Sequence, residues 1–367
     1  YRAESFALPT GLFVNLAASD APHAPQLLRM RRVKAWGVDL ERLTLVDGIF
    51  NDVIARKCTI ETGHARLREL SARPPPYPEW LQFVSVGAVS GAAAVFFRGG
   101  LIEVLLAAAM GWLIAAFGRL LRKHPSARFL VDFGGAFASA VLAWGMTRFA
   151  PKASAEVLVL SGVISLVPGM TFTTGLAELS QKNLVSGGAR LMETLMTFLS
   201  LVFGIALAVG LQAASPASIA GVADRSGLPL PFQALAIVAS SLAACVLFSV
   251  PRNYVWGAII SGATGYVATA FATRYLPGYI AAFVASLAVC TLANGLARAT
   301  QRPAQLFQLP GMMLLVPGSF GFLSLEAFLR GDFLSGAAKG FQMTLVACGL
   351  VIGVLSANVL LPPKKIL

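Results

Sequence analysis

Leu166-Val167-Pro168-Gly169 lies near the middle of an apolar run covering about residues 156–179, and Leu315-Val316-Pro317-Gly318 lies inside another at 306–326. Proline removes a backbone donor and glycine permits turns that other residues resist, so each pair reads as a break in a helix. A simple proline kink would account for either pair alone. The two pairs stand 149 residues apart, however, and the same offset carries Gly162 to Gly311, Leu176 to Leu325, Ser186-Gly187 to Ser335-Gly336, Ala189 to Ala338, Arg190 to Lys339 and Gly204 to Gly353 without a gap. Upstream the offset becomes 154, pairing Arg98 with Arg252, Gly111 with Gly265 and Trp112 with Tyr266. The shared LVPG and its equal spacing to Ser-Gly favour duplication over a chance match of apolar sequence.

Outward from these breaks the chain is a series of apolar segments, at about 80–97, 101–121, 129–148, 156–179, 186–212, 232–250, 254–273, 279–297, 306–326 and 335–360. Of 367 residues, 56% are hydrophobic and 13% charged, against roughly a quarter charged in a soluble domain. A hydrocarbon slab ~30 Å thick accepts helices of about 20 apolar residues, and backbone left unpaired at that depth must face protein or a wet cavity. The fold class expected is therefore a mostly α, polytopic membrane protein of about ten transmembrane helices. Five spans per half is an odd number, so the second half must enter the bilayer in the opposite orientation, as two inverted repeats.

The first eighty residues hold a crowd of charges and read differently. YRAESFALPTGLFVNL has strand character interrupted at Pro9-Thr10-Gly11, and a second candidate strand runs from Leu27 to Val33. From Asp39 to Arg56 apolar residues recur at three- and four-residue steps, which predicts an amphipathic helix with Asp39 as N-cap; a second helix covers Thr62 to Arg73 and ends at Pro74-Pro75-Pro76. The expected organisation is a small soluble cytoplasmic α+β domain at 1–76, a five-helix membrane repeat at 77–215, a linker at 216–230 and a second five-helix repeat at 231–367. With no initiator Met or signal peptide before Tyr1, the chain reads as a processed or trimmed fragment, its first domain N-terminally incomplete.

Lys and Arg number 29 against 17 acids. In a soluble protein that excess would point to nucleic acid; here basic connectors match cytoplasmic loops instead. Arg119, Arg122, Lys123 and Arg128 after the second span, and Lys364 and Lys365 in the tail, put both termini in the cytoplasm. Cys58, Cys245, Cys290 and Cys348 have no metal-like spacing, and His23, His64 and His124 are scattered, so neither a metal site nor a cofactor is expected. There is no phosphate loop with a lysine, no HEXXH and no GXSXG. An enzyme is thus not expected, and any transport would draw on an ion gradient or the solute's own.

Ionisable groups inside the slab cost ~2.5–3.5 kcal/mol at a helix centre, so each survivor is a candidate. Glu193 in span five is the strongest, as a proton carrier or partner of a substrate amine; its repeat mate is the neutral Gln342. Asp132 and Glu103 lie nearer span ends, where water reaches. A half-helix starting at either break would offer free N–H groups and a positive dipole end to a carboxylate. That makes Pro168, Gly169, Pro317 and Gly318 the substrate-site candidates, with the hydroxyls of Thr171, Thr173 and Thr174 after the first break and of Ser319 after the second. Threonines in membrane helices more often bond their own backbone. Asn294 and Asn358 read as interhelical glue.

These residues resemble the threonine/serine exporters. The resemblance rests on PTGLFVNL, GVDLERL from Gly37, PPPYPEW from Pro74, LVPGMTFTTGLAELSQKNLVSGGARLMETL from Leu166, LLVPGSFGF from Leu314 and FLSGAAK from Phe333, in that order. It implies a bacterial inner-membrane exporter of small hydroxylated amino acids by proton antiport, partnered by its substrate, protons and the bilayer, with no nucleic acid and with room for a homo-oligomer. A channel or facilitator, and an enzyme or sensor acting through an anchored N-terminal domain, are the competing expectations.

Overall fold

The computed structural model describes residues 2–8, 10–17, 26–33, 37–122, 127–212 and 227–363. Most of the expected linker, and Lys123, His23, His124, Lys364 and Lys365, lie outside the described residues. The N-terminal strands are β1 (Arg2–Leu8), β2 (Gly11–Ala17) and β3 (Gln26–Arg32), an antiparallel meander in which Phe6 stands opposite Phe13 and Phe13 opposite Met30. Two helices follow, α1 (Leu40–Ile54) and α2 (Ile60–Ala72). Asp39 caps α1 by accepting from Arg42 N at 2.9 Å, the expected role, and Thr59 does the same for α2.

Twelve helices carry the apolar sequence. The first half is α3 (Glu79–Phe96), α4 (Leu101–Arg122), α5 (Val131–Phe149), α6 (Ala155–Val163), α7 (Gly169–Ser180) and α8 (Leu184–Gln212). The second is α9 (Leu230–Leu247), α10 (Val255–Ala272), α11 (Gly278–Thr300), α12 (Gln305–Met313), α13 (Gly318–Leu329) and α14 (Phe333–Leu360). Both expected breaks are present, since Pro168 is the N-cap of α7 and Pro317 the N-cap of α13. Among the described residues eight helical stretches are long and apolar enough to cross a membrane, so the chain is a multi-pass membrane protein. The two expected segments outside that set have evident reasons. Helix α5 carries Asp132 and Arg148 within its 19 residues, and the fourth segment is divided by five residues between α6 and α7, against four between α12 and α13.

The two halves pack alike. Helix α5 lies on α8 as α11 lies on α14, and α7 and α13 each touch both long helices, α8 and α14. Contacts at glycines fix the correspondence. A Cβ on Gly111 would meet Ser90 Oγ at 2.6 Å, and one on Gly262 would meet Ser241 Oγ at 2.3 Å. Helices α3 and α9 are both 18 residues long and both end in a phenylalanine cap followed by a left-handed residue, Arg98 (φ 59°) and Ser249 (φ 54°). These pairs are separated by 151 residues, which corrects the upstream offset of 154. Gly111 therefore matches Gly262, and Arg98 matches Ser249. The sequence pairing of Arg98 with Arg252 fails because Arg252 opens a short 3-10 turn, Arg252–Tyr254, which occupies the place where α4 starts.

Helix α1 packs on the bundle as well as on α2. Leu40 is 1% exposed, within a cluster formed by Cys245, Val250, Ala258, Ala293, Leu306 and Phe307. Leu40 N donates to Phe248 O and Glu41 N to Ser249 O, each at 2.9 Å, and the Tyr77 hydroxyl donates to Val250 O at 2.7 Å. Three successive carbonyls past the end of α9 are thereby satisfied from the N-terminal side. Arg252 lies over the Tyr77 ring and bonds Pro76 O.

Candidate substrate cavity at the paired helix breaks

The two Pro-Gly breaks meet. A Cβ on Gly169 would fall 2.4 Å from Val316 Cγ1 and 3.0 Å from Gly318 Cα; one on Gly318 would fall 2.6 Å from Val167 Cγ1 and 3.5 Å from Gly169 Cα. Each valine before one break packs over the glycine of the other. The first bond of α7 runs from Phe172 N to Pro168 O, 3.0 Å, and that of α13 from Phe320 N to Pro317 O, 3.1 Å. Ahead of those bonds Gly169 N is turned back to Val167 O at 2.9 Å, while the other first-turn N–H groups, with the positive ends of two helix dipoles, lie where the breaks meet.

A cavity of about 410 Å³ opens there. Gly169, Gly318 and Ser319 line it from the breaks, Val89, Ala93, Phe96 and Phe97 from α3 and its cap, and Leu247 and Phe248 from the end of α9. Two further hydroxyls line it, those of Ser165 and Ser240, and Ser240 bonds Ala236 O and Ile237 O on its own helix. Ser165 was not legible from the repeat, whose mate at that position is the apolar Leu314.

Of the threonines expected at the first break, Thr173 is buried and donates to Gly169 O at 3.1 Å, so its hydroxyl is held by its own helix. Thr171 and Thr174 are half-buried and are not among the residues lining this cavity. Glu193 on α8 is near enough to Asp132 on α5 for its charge to act on it, with Thr197 beside them. Glu193 itself faces outward, between the exposed Met192 and Met196, away from the breaks. Glu103, 4% exposed, is a joint: its carboxylate accepts from Gly100 N at 3.0 Å and from Ser154 N at 3.1 Å, tying α4 to the start of α6. Asn294 donates to Asn358 Oδ1 at 3.0 Å and accepts from Gln308 Nε2 at 3.0 Å, which is the interhelical role expected of it.

One partner set escaped the sequence reading. Glu178 in α7 accepts from the Ser186 hydroxyl at 2.6 Å and from Arg190 Nε at 2.9 Å, locking α7 to α8 just beyond the break. A 12-residue spacing across a turn carries no helical signal, although Arg190 had drawn notice as the mate of Lys339. Outside the membrane segments, burial pushes the Tyr77 hydroxyl above its ordinary range, with Cys245 adding to the rise and Arg252 opposing it. No group of three or more His, Cys, Asp or Glu able to hold a metal occurs among the described residues.

Comparison with known proteins bears on the whole chain. A family model described as "Putative threonine/serine exporter" matches residues 1–212, and one described as "Threonine/Serine exporter, ThrE" matches residues 233–360. The chain is 24% identical over 360 residues to a "Probable threonine/serine exporter" of Mycobacterium tuberculosis, covering 95% of this chain and 67% of that one. It is 24% identical over 339 residues to a "Threonine/serine exporter" of Corynebacterium glutamicum, covering 89% and 69%. It is 22% identical over 364 residues to "Pheromone-regulated membrane protein 10" of Saccharomyces cerevisiae, covering 89% and 91%. The chain spans about two thirds of the length of those bacterial relatives. No solved structure matches. With paired helix breaks around one cavity, and family models covering both halves, this chain belongs to the threonine/serine exporter family.

Proposed function

We propose that the protein is a secondary transporter that exports small polar amino acids of the serine and threonine type, binding them between its two Pro-Gly breaks. The observation that carries this reading is the meeting of Gly169 and Gly318 beside a cavity of about 410 Å³. Two helix N-termini suit a carboxylate. Gly169, Gly318, Ser319 and Ser165 are the contacts proposed, with Pro168 and Pro317 setting the breaks; Thr171 and Thr174 take part only if α7 turns as it binds.

In this reading the chain has ten spans arranged as two inverted repeats, the broken pairs α6–α7 and α12–α13 each counting as one. The like packing of the halves supports it, as does the family. The proposed setting is a bacterial inner membrane with both termini cytoplasmic, and the chain is not an enzyme. Transport is driven by proton antiport, with Glu193 and Asp132 as the coupling pair. Counterflow of radiolabelled serine and threonine in proteoliposomes, with and without an imposed pH gradient, tests this. Exchange that a gradient accelerates is expected; no exchange of either amino acid sinks the proposal.

One observation favours a second reading. Glu193 lies on the outside of the bundle, away from the cavity, and a facilitator needs no carboxylate at its site. Exchange indifferent to any pH gradient would select the facilitator.

A further inference from the structure

We propose that Arg98 forms a capture site for the α-carboxylate of the substrate, in a second cavity leading to the breaks; this rests on the function proposed above. That cavity has a volume of about 540 Å³ and is lined by Arg98, Gln233, Tyr266 and Thr269 among Val95, Phe96, Gly227, Leu314 and Leu315. It shares Phe96 and Leu314 with the cavity between the breaks, so the two cavities are neighbours.

Four observations converge on Arg98. Its backbone is left-handed, φ 59°, at the position after a helix cap where glycine is the unstrained choice. The turn is closed by Arg98 N to Val95 O, 3.1 Å, and Gly99 N to Ala94 O, 2.8 Å. The matching corner after α9 has the same two bonds, Ser249 N to Val246 O and Val250 N to Cys245 O. There, however, Ser249 is 9% exposed beneath α1 and its carbonyl is held by Glu41 N. Of the two corners only the one carrying a cation is open. The same left-handed conformation occurs at Arg56, Lys182, Ser249 and Gln301, so what distinguishes Arg98 is the cavity that it lines.

The cavity wall supplies the remaining chemistry. Arg98 is exposed, and among the described residues no carboxylate is paired with it or lines the cavity. The Tyr266 hydroxyl donates to Gln233 Oε1 at 2.6 Å and Gln233 Nε2 donates to Leu228 O at 3.1 Å, so that wall is neutral and polar. Thr269 bonds Gly265 O on its own helix. A guanidinium fork accepts a carboxylate in two parallel hydrogen bonds, whereas nothing in this wall offers a counter-charge to an amine. The ligand class is therefore a small carboxylate, and since the proposed topology puts the end of α3 on the outer side, Arg98 holds that group as it leaves the helix N-termini.

The test separates capture from folding and from the transport reading. Arg98→Gly removes the side chain and relieves the left-handed strain, so its thermal unfolding midpoint stays at or above wild type. In proteoliposomes its KM for serine is expected to rise about tenfold or more, with the maximal rate changed far less; Arg98→Lys, a point charge without the fork, falls between. Independently, Thr269→Cys in a background without Cys58 and Cys348 is labelled by a maleimide. Serine protects it and serine amide does not, and the protection disappears with Arg98→Gly. An unchanged KM in Arg98→Gly, or equal protection by serine and its amide, overturns the capture site. Protection that depends on Arg98 in a protein that exchanges neither amino acid would uphold the site while removing the function proposed above.

Discussion

Gly169 and Gly318 stand back to back across the two breaks, with Val316 over the first and Val167 over the second. The exchange is not symmetric. A Cβ on Gly169 meets Gly318 Cα at 3.0 Å, whereas one on Gly318 clears Gly169 Cα at 3.5 Å and is opposed chiefly by the Val167 methyl at 2.6 Å. Gly169→Ala and Gly318→Ala should each lose ~1–3 kcal/mol by overpacking. Val167→Ala should restore Gly318→Ala nearly to wild type, while Val316→Ala restores Gly169→Ala only in part, because backbone cannot yield as a methyl does. Thermal unfolding and counterflow of the four variants check this; equal rescue would contradict the geometry.

The acidic pair gives a separate test of coupling. Asp132 lies under the influence of Glu193, with Thr197 beside it. Glu193→Gln should leave serine counterflow within about twofold of wild type, since Glu193 does not line the cavity, but abolish its acceleration by a pH gradient. Asp132→Asn should do the same. A gradient response retained by both variants would remove this pair from the mechanism.

Tyr77 links pH to the attachment of the segment before α3. Its hydroxyl donates to Val250 O and burial holds its pKa above the ordinary tyrosine value. The unfolded chain therefore ionises first, so the contribution is complete below about pH 10 and is lost as pH rises through the folded value. Tyr77→Phe should lower stability by ~1 kcal/mol at neutral pH and flatten the difference from wild type above about pH 10. A wild-type stability curve parallel to that of the variant in alkali would count against the bond.

Leu40 fixes α1 to the second half at a buried position 1% exposed. Leu40→Ala should cost ~2–5 kcal/mol of that docking and raise hydrogen exchange at Phe248–Val250 as well as in α1. Unchanged exchange at the amides of residues 40 and 41, which donate to Phe248 O and Ser249 O, would show that α1 is held there without the Leu40 side chain.

The Glu178–Arg190 pair is only partly shielded, with side chains 22% and 16% exposed. Glu178→Ala should destabilise by less than the ~3–5 kcal/mol typical of a fully buried pair, and Glu178→Gln combined with Arg190→Met should recover most of the loss. Additive losses in the double variant would mean the two residues do not act as a pair.

Much of this was legible because it is local. Proline lacks an amide hydrogen wherever it sits, so Pro168 and Pro317 declared the breaks; Asp39 declared its cap by preceding an amphipathic run. The repeat was legible only where helix lengths agree. Around Arg98 and Arg252 identity of residue type misled, since a three-residue turn displaced the register and the true counterpart, Ser249, shares a backbone conformation and not a side chain.

The sequence by itself determined a membrane bundle with two broken helices, because apolar run length and the chemistry of Pro and Gly act within a few residues of themselves. Tertiary structure decided which faces those helices present. It set Ser165 and Ser319 on a cavity, gave Thr173 to its own backbone, turned Glu193 outward and laid Leu40 against the end of α9. Each of these depends on how a helix is rotated against partners as far as 208 residues away in the chain, from Leu40 to Phe248, and the energy that sets such rotations comes from packing between helices, which no local pattern encodes.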